Sequence, residues 1–324
     1  MKKSTKILLG TSATAAAAFL GFGLLSNKLV LTRASKPIFE KIGETKKKTQ
    51  LTPLEEQVAV LDKEGEEWFD AQEKEYIVIK NYKNRPLHGY IVKAKEPSDK
   101  WAICVHGYTS SPKRVGSYAL HHYERGYNIL FPVLRGHDIS DHKHITMGWF
   151  DRLDMLDWID YLVTVYDNPS IILHGVSMGA ATVMMTTGED LPDNVKCCIA
   201  DCGFSSVWDE FTHEIKEEFK FPAPAALLTP ATFTSKFVNG FGFREASAIN
   251  QLAKSKTPTL FVHGEVDNFV PYRMMDLNYN AAACPKEKLS IPDADHANSH
   301  LFHPEIYWPK VFEFIDKYVE PVTV

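Results

Sequence analysis

The chain reads as an α/β protein: a mainly parallel eight-stranded sheet with helices on both faces and a small lid insertion. Three observations predict it. Eight short apolar runs follow one another from residue 76 onward. Six of them are separated by segments long enough for crossover helices. One connection, residues 203–257, is far longer than a crossover needs and is rich in phenylalanine.

The amino end comes first. After MKKSTK the chain carries no charge from Ile7 to Ser26, a run long enough to cross a bilayer as a helix. "GLLSNKLVL" lacks a small-x-small cleavage site, which favours an uncleaved membrane anchor within 1–30 over a secretory signal peptide. The flanks oppose each other in orientation, with Lys2, Lys3 and Lys6 before the run and Lys28, Arg33, Lys36 and Lys41 after it. Residues 31–75 are expected to form a basic/acidic stalk with one or two amphipathic helices, leaving 76–324 as the globular domain. The overall charge of −5 hides ten Lys and Arg against two Glu in residues 1–48, so the body is acidic, nothing in it suggests nucleic-acid binding, and no nucleic-acid partner is expected. The five cysteines, Cys104, Cys197, Cys198, Cys202 and Cys284, form no CxxC or Cys/His spacing and read as reduced packing residues.

The expected strands are "YIVI" (76–79) and "LHGYIV" (87–92), paired as a hairpin, then "WAICVH" (101–106), "NILFP" (128–132), "IILH" (171–174), "VKCCIA" (195–200), "TLFVH" (259–263) and "KLSIP" (288–292). Expected helices are 113–125, 150–166, 178–188, 272–283 and 304–318. The clearest 3.6-residue spacing places Trp149, Leu153, Leu156 and 159–161 on one broad face. The long connection holds eight of the 19 phenylalanines, which suits a lid, 203–250, covering something apolar.

Chemistry enters at "IILHGVSMGAATVMM". A buried strand, Gly175-x-Ser177-x-Gly179 and an apolar helix form the setting of a nucleophile elbow, although GxSxG alone also fits a Gly-rich turn with a serine N-cap. A serine hydroxyl needs a base and an orienting acid. Asp267 follows the seventh strand and His296 the eighth, and loops at the carboxyl ends of parallel strands converge. Asp201, after the sixth strand, is the reserve acid. "HGY" after the third strand suggests that the backbone N–H groups of Tyr108 and Met178 form an oxyanion hole.

The segments "HGYTSSP", "MGWFDRLDMLDWI", "HGVSMGAATVMM", "DCGFSSVWDEF", "FVHGEVDNFVP" and "PDADHANS" resemble the α/β-hydrolase fold over residues 76 to 320. More narrowly they resemble membrane-associated cell-surface hydrolases of Gram-positive bacteria. The resemblance implies Ser177 as nucleophile, His296 as base, Asp267 as acid, no cofactor, and a domain facing outside the cell. The chain departs at "PVLRGHDIS", where relatives usually have Asp for Val133 and Gly for Asp138.

Other residues compete for roles. His137, Asp138, Asp141, His142 and His144 crowd one loop, but their spacing matches no standard metal motif, so no metal is expected. His300 and His303 read as surface or packing residues. Ser110, Ser111 and Trp149 are expected near the substrate pocket. The function expected is a carboxylesterase acting on short- to medium-chain acyl esters, a small-molecule substrate, with membrane attachment through the N-terminal segment. The alternatives are a peptidase or acyltransferase with the same triad, and a surface-tethered binding module without turnover.

Overall fold

The computed structural model describes residues 17–33, 52–217 and 219–319. Eight strands form one sheet: β1 (Glu75–Lys80), β2 (Pro86–Val92), β3 (Lys100–Val105), β4 (Asn128–Pro132), β5 (Ser170–Val176), β6 (Val195–Asp201), β7 (Thr259–Gly264) and β8 (Lys286–Ile291). Their spatial order is β1-β2-β4-β3-β5-β6-β7-β8. β2 runs antiparallel to β1 and β4, and the other neighbours are parallel. Each expected apolar run is a strand, and β1–β2 is the expected hairpin.

The helices are α1 (17–30), α2 (Pro53–Ala71), α3 (Gly116–Glu124), α4 (Asp151–Val165), α5 (Met178–Thr186), α6 (Val207–Glu217), α7 (Pro224–Val238), α8 (Ala248–Leu252), α9 (Arg273–Ala281), α10 (Ser299–Phe302) and α11 (Pro304–Asp316). They cover both faces. Along β3, Trp101 and Ile103 enter one apolar cluster with Met155 and Trp158, while Ala102 and Cys104 enter the other with Tyr118 and Phe314. Because both faces are covered, the inner strands are apolar at successive positions instead of alternating with polar residues. All five cysteines are buried and free.

Three expectations need adjustment. The buried face of α4 is Met155, Trp158, Ile159 and Leu162, and it carries Asp151, Arg152 and Asp154 inward as well, while Leu153 and Leu156 are only partly buried. The charges are tolerated because each has a partner. Asp154 pairs with Arg135 and accepts from Asn81, Asp151 accepts from the Arg135 N–H and the Thr146 hydroxyl, and Arg152 pairs with Glu189. Hydrophobic periodicity cannot register such pairs.

The stretch expected as a stalk contains α2, which packs on the domain. A Cβ at Gly65 would lie 2.3 Å from the Ser117 nitrogen, so α2 and α3 meet backbone to backbone. Phe69 packs edge-on against Phe131, while Glu66 and Asp70 pair with Arg114 and Lys113. The acidic run is therefore the outer and ion-paired face of an amphipathic helix. Residues 1–16 of the expected anchor lie outside the described residues. Its second half, within α1, packs against α7, and among the described residues no helix is long and apolar enough to cross a membrane.

Candidate active site

The elbow follows from steric necessity. A Cβ at Gly175 would lie 2.2 Å from the Gly179 carbonyl oxygen, and one at Gly179 would lie 2.1 Å from the Val105 oxygen. Only glycines at both positions let β5, α5 and β3 meet. Between them Ser177 sits at φ 58°, ψ −120°, a positive-φ conformation costly for a residue with a Cβ. Its N–H donates to the Asp201 carbonyl at 2.8 Å and its own carbonyl accepts from Ala181, so strand and helix together hold the strain.

The three residues expected from chain order are in contact. Ser177 Oγ lies 2.8 Å from His296 Nε2, and His296 Nδ1 lies 2.8 Å from Asp267 Oδ2. With Nδ1–H donating to the carboxylate, Nε2 is left to accept from the serine hydroxyl. The Asp267 carboxylate is saturated. Its Oδ1 accepts from the N–H groups of Phe269 (2.9 Å) and Val270 (3.0 Å), and His263 Nε2 lies 3.2 Å from Oδ2. Burial pushes this carboxyl up, but the His296 charge and the hydrogen bonds from His263 and His296 outweigh burial and hold it at about 2. Asp267 is therefore an anion at every working pH.

Asp201 is not bonded to the imidazole. Its Oδ2 accepts from Tyr307 (3.0 Å) and Tyr118 (3.2 Å), while Oδ1 is buried without a hydrogen-bond partner. Burial raises its carboxyl to about 6, against the pull of the Tyr307 and Tyr118 hydroxyls. Tyr118 also approaches the Ala297 carbonyl at 3.1 Å, next to His296. Asp201 thus ties the strand behind Ser177 to the loop bearing His296. No sequence signal announced this network, since Tyr118, Asp201 and Tyr307 belong to three distant elements.

Met178 opens α5, so its N–H belongs to the unpaired first turn at the positive end of the helix dipole. Tyr108 follows β3, and a Cβ at the adjacent Gly107 would lie 3.3 Å from Ser177 Cβ, which sets this turn against the elbow. The Tyr108 hydroxyl donates to the Val30 carbonyl at 2.6 Å.

A cavity of about 450 Å³ opens beside Ser177 and Met178. Its wall is built by the insertion between β6 and β7, where Phe204, Phe211, Phe219, Phe221 and Phe243 line it, joined by Phe269 and Val270. Of the remaining insertion phenylalanines, Phe241 is fully buried and Phe233 and Phe237 are exposed. Ser110, Ser111 and Trp149 are not among its lining residues; α1 supplies Phe22, Ser26, Leu29 and Val30 instead.

The histidine-rich loop is occupied by structural bonds. His137 Nε2 accepts from the Thr109 N–H at 3.0 Å while Nδ1 lies 2.9 Å from the Arg135 carbonyl, and Asp141 bonds His88. Asp138 adopts φ 39°, a left-handed conformation that glycine takes without strain. His300 is buried and bonds Ser117, whereas His303 pairs with Glu305 at the surface. Among the described residues one trio has the spacing to hold a metal ion, Cys202, Asp267 and His296. Burial pushes the Cys202 thiol well up, with Asp201 and Asp267 adding to it, and Asp267 and His296 already bond each other, so the trio is a poor ligand set.

Residues 103–244 match the family model described as alpha/beta hydrolase fold. The chain is 28% identical over 251 residues to the Bacillus subtilis protein YqkD, called uncharacterized, covering 77% of this chain and 82% of that one. The structure of the Pyrococcus furiosus esterase Pf2001 is similar at TM-score 0.62 and 25% identity, covering 76% of this chain and 92% of that one. An acylaminoacyl peptidase of Pyrococcus horikoshii is similar at TM-score 0.57 and 16% identity, covering 78% of this chain and 44% of the peptidase.

Proposed function

On the α/β-hydrolase fold as premise, we propose that this chain is a serine hydrolase that cleaves short- to medium-chain carboxylic esters. One observation carries the reading: the unbroken chain Ser177–His296–Asp267, with both links at 2.8 Å, faces a cavity walled mainly by aromatic and aliphatic side chains, with Glu210 and Glu214 the two acids among them. Ser177 Oγ attacks the ester carbonyl as its proton passes to His296 Nε2. Asp267 holds the ring and stabilises the imidazolium. The N–H groups of Met178 and Tyr108 hold the tetrahedral oxyanion. Collapse expels the alcohol with the proton from His296, leaving an acyl-enzyme. Water, deprotonated by the same imidazole, then releases the acid and restores Ser177.

The rings and aliphatic side chains of the wall favour an acyl chain, because burying each methylene yields about 0.8 kcal/mol, and burial pushes the Glu210 carboxyl beside them up toward its neutral form. The peptidase and acyltransferase readings use the same triad and differ in the group that enters or leaves. Membrane attachment, with the domain outside the cell, belongs to the same proposal. The uncharged run from Ile7 and the exposed Phe19, Leu20, Leu24 and Leu25 of α1 support it.

The test uses the full-length chain in a membrane fraction. We expect fluorophosphonate labelling that Ser177→Ala abolishes, hydrolysis of p-nitrophenyl esters with an optimum at short to medium acyl length, and sedimentation with membranes. Undiminished labelling of folded Ser177→Ala would remove the nucleophile. A labelled enzyme that cleaves peptides and no ester would replace the substrate class, and a wholly soluble full-length chain would remove the attachment.

A further inference from the structure

The segment that reads as an anchor and the residue after it are fastened to the domain in four ways, two of them to the 203–257 insertion that caps the site. The Asn27 side chain, 4% exposed, donates to the Ala231 carbonyl at 2.8 Å and to Thr234 Oγ1 at 2.7 Å. A Cβ at Gly23 would lie 2.3 Å from the Pro230 carbonyl oxygen, so α1 and α7 touch through their backbones there. Leu31 is fully buried, and its carbonyl accepts from the Ile145 N–H at 3.0 Å. The Val30 carbonyl accepts from the hydroxyl of Tyr108, the residue of the expected oxyanion turn. A tether that only joins a domain to a bilayer needs no such bonds. Moreover, Ser26, Leu29 and Val30 line the same cavity as Ser177.

We infer that residues 22–30 are a substrate-recognition element: they form the outer wall of the acyl cavity and set how long an acyl chain it accepts. The inference rests on the hydrolase reading and deepens it. α7 alone does not enclose the cavity; its Leu227, Leu228 and Ala231 share the wall with α1. An acyl chain leaving the carbonyl at Ser177 packs between the phenylalanines of the insertion and this helix. Tyr108 acts here as a positioning residue, because its bond to Val30 couples the wall to the turn beside the nucleophile. Ser26 is the smallest of these α1 lining residues, and a larger side chain there would shorten the space.

The experiment uses full-length Ser26→Trp and Leu29→Ala, compared with the unmodified chain. The first fills the cavity from α1 and the second opens it. Leu29 is half-exposed, so its truncation leaves the fold standing. The readout is the rate at which methyl-, butyl- and octylphosphonate p-nitrophenyl esters label Ser177, which requires the nucleophile and the pocket but no turnover of a carboxylic ester. We expect Ser26→Trp to lower the octyl-to-methyl rate ratio about fifteenfold, as excluding two methylenes would, and Leu29→Ala to flatten the dependence on length. Unchanged ratios in both variants would overturn the wall. Ratios that shift as expected in a chain that hydrolyses no ester would uphold the wall and overturn the esterase.

Discussion

The two sides of the cavity are built on opposite principles. On the sheet side, Asp267 has a partner for each oxygen, His296 is bonded at both ring nitrogens, and Ser177 is held at positive φ by backbone bonds on each side. On the cap side, α6, α7 and α1 offer mostly apolar side chains, and Phe233 and Phe237 are left exposed. The difference teaches what each half needs. Proton transfer and attack demand fixed distances, which only directional bonds supply. On the proposed ester reading, recognising an acyl chain needs apolar area, which is non-directional. Changes on the sheet side should therefore lower the rate for all substrates alike, and changes on the cap side should alter ratios between substrates.

The largest effect tests the first half. His296→Ala should lower kcat by on the order of 10⁶, equally for acetate and octanoate esters. Steady-state kinetics on both esters check this, and a loss confined to long chains would break the comparison.

Next comes the contrast between the two buried acids. Asp267→Asn should cost about 10⁴ in kcat by leaving the imidazole in the wrong tautomer. Asp201→Asn should cost less than about tenfold, because its bonds position strands and transfer no proton. Their pH dependence differs in sign. Asp201 is raised from 3.8 to about 6, so the native state binds more protons between those values and stability falls as pH rises through that window. The fall is on the order of 3 kcal/mol. Asp267 is depressed to about 2, so its contribution is present above about 4 and is lost as pH falls through 2. Urea denaturation from pH 3 to 7 should show a slope to which Asp201 and the buried Glu210 both contribute, and Asp201→Asn should lessen it. A slope unchanged by the substitution would assign it to another group.

The smallest effect belongs to the cap. Phe211→Ala or Phe221→Ala should reduce the octanoate-to-acetate ratio of kcat/KM by about fourfold for each methylene that no longer packs against a ring. Ester kinetics read this directly. A uniform fall across the series would mean that the cap also positions the triad.

The strands, the elbow and the order Ser177, Asp267, His296 were readable from the chain because each rests on a local rule. Strand runs follow from burial on both faces, the two glycines from a close approach around one serine, and the meeting of Asp267 and His296 from loops at strand ends. Distant contacts left no such trace. Asn27 bonds Ala231 across 204 positions, and α1 enters the cavity through that bond and a glycine contact. The same holds for Asp201, whose place after a strand suited a triad acid until Tyr118 and Tyr307 claimed it. It holds for the inward charges of α4, paired with partners that periodicity does not see. Periodicity and motif spacing report what a residue's neighbours in sequence demand of it. Which helix closes a cavity, and which of two carboxylates meets an imidazole, depends on the surfaces left over when the sheet has formed, and those surfaces exist only in three dimensions.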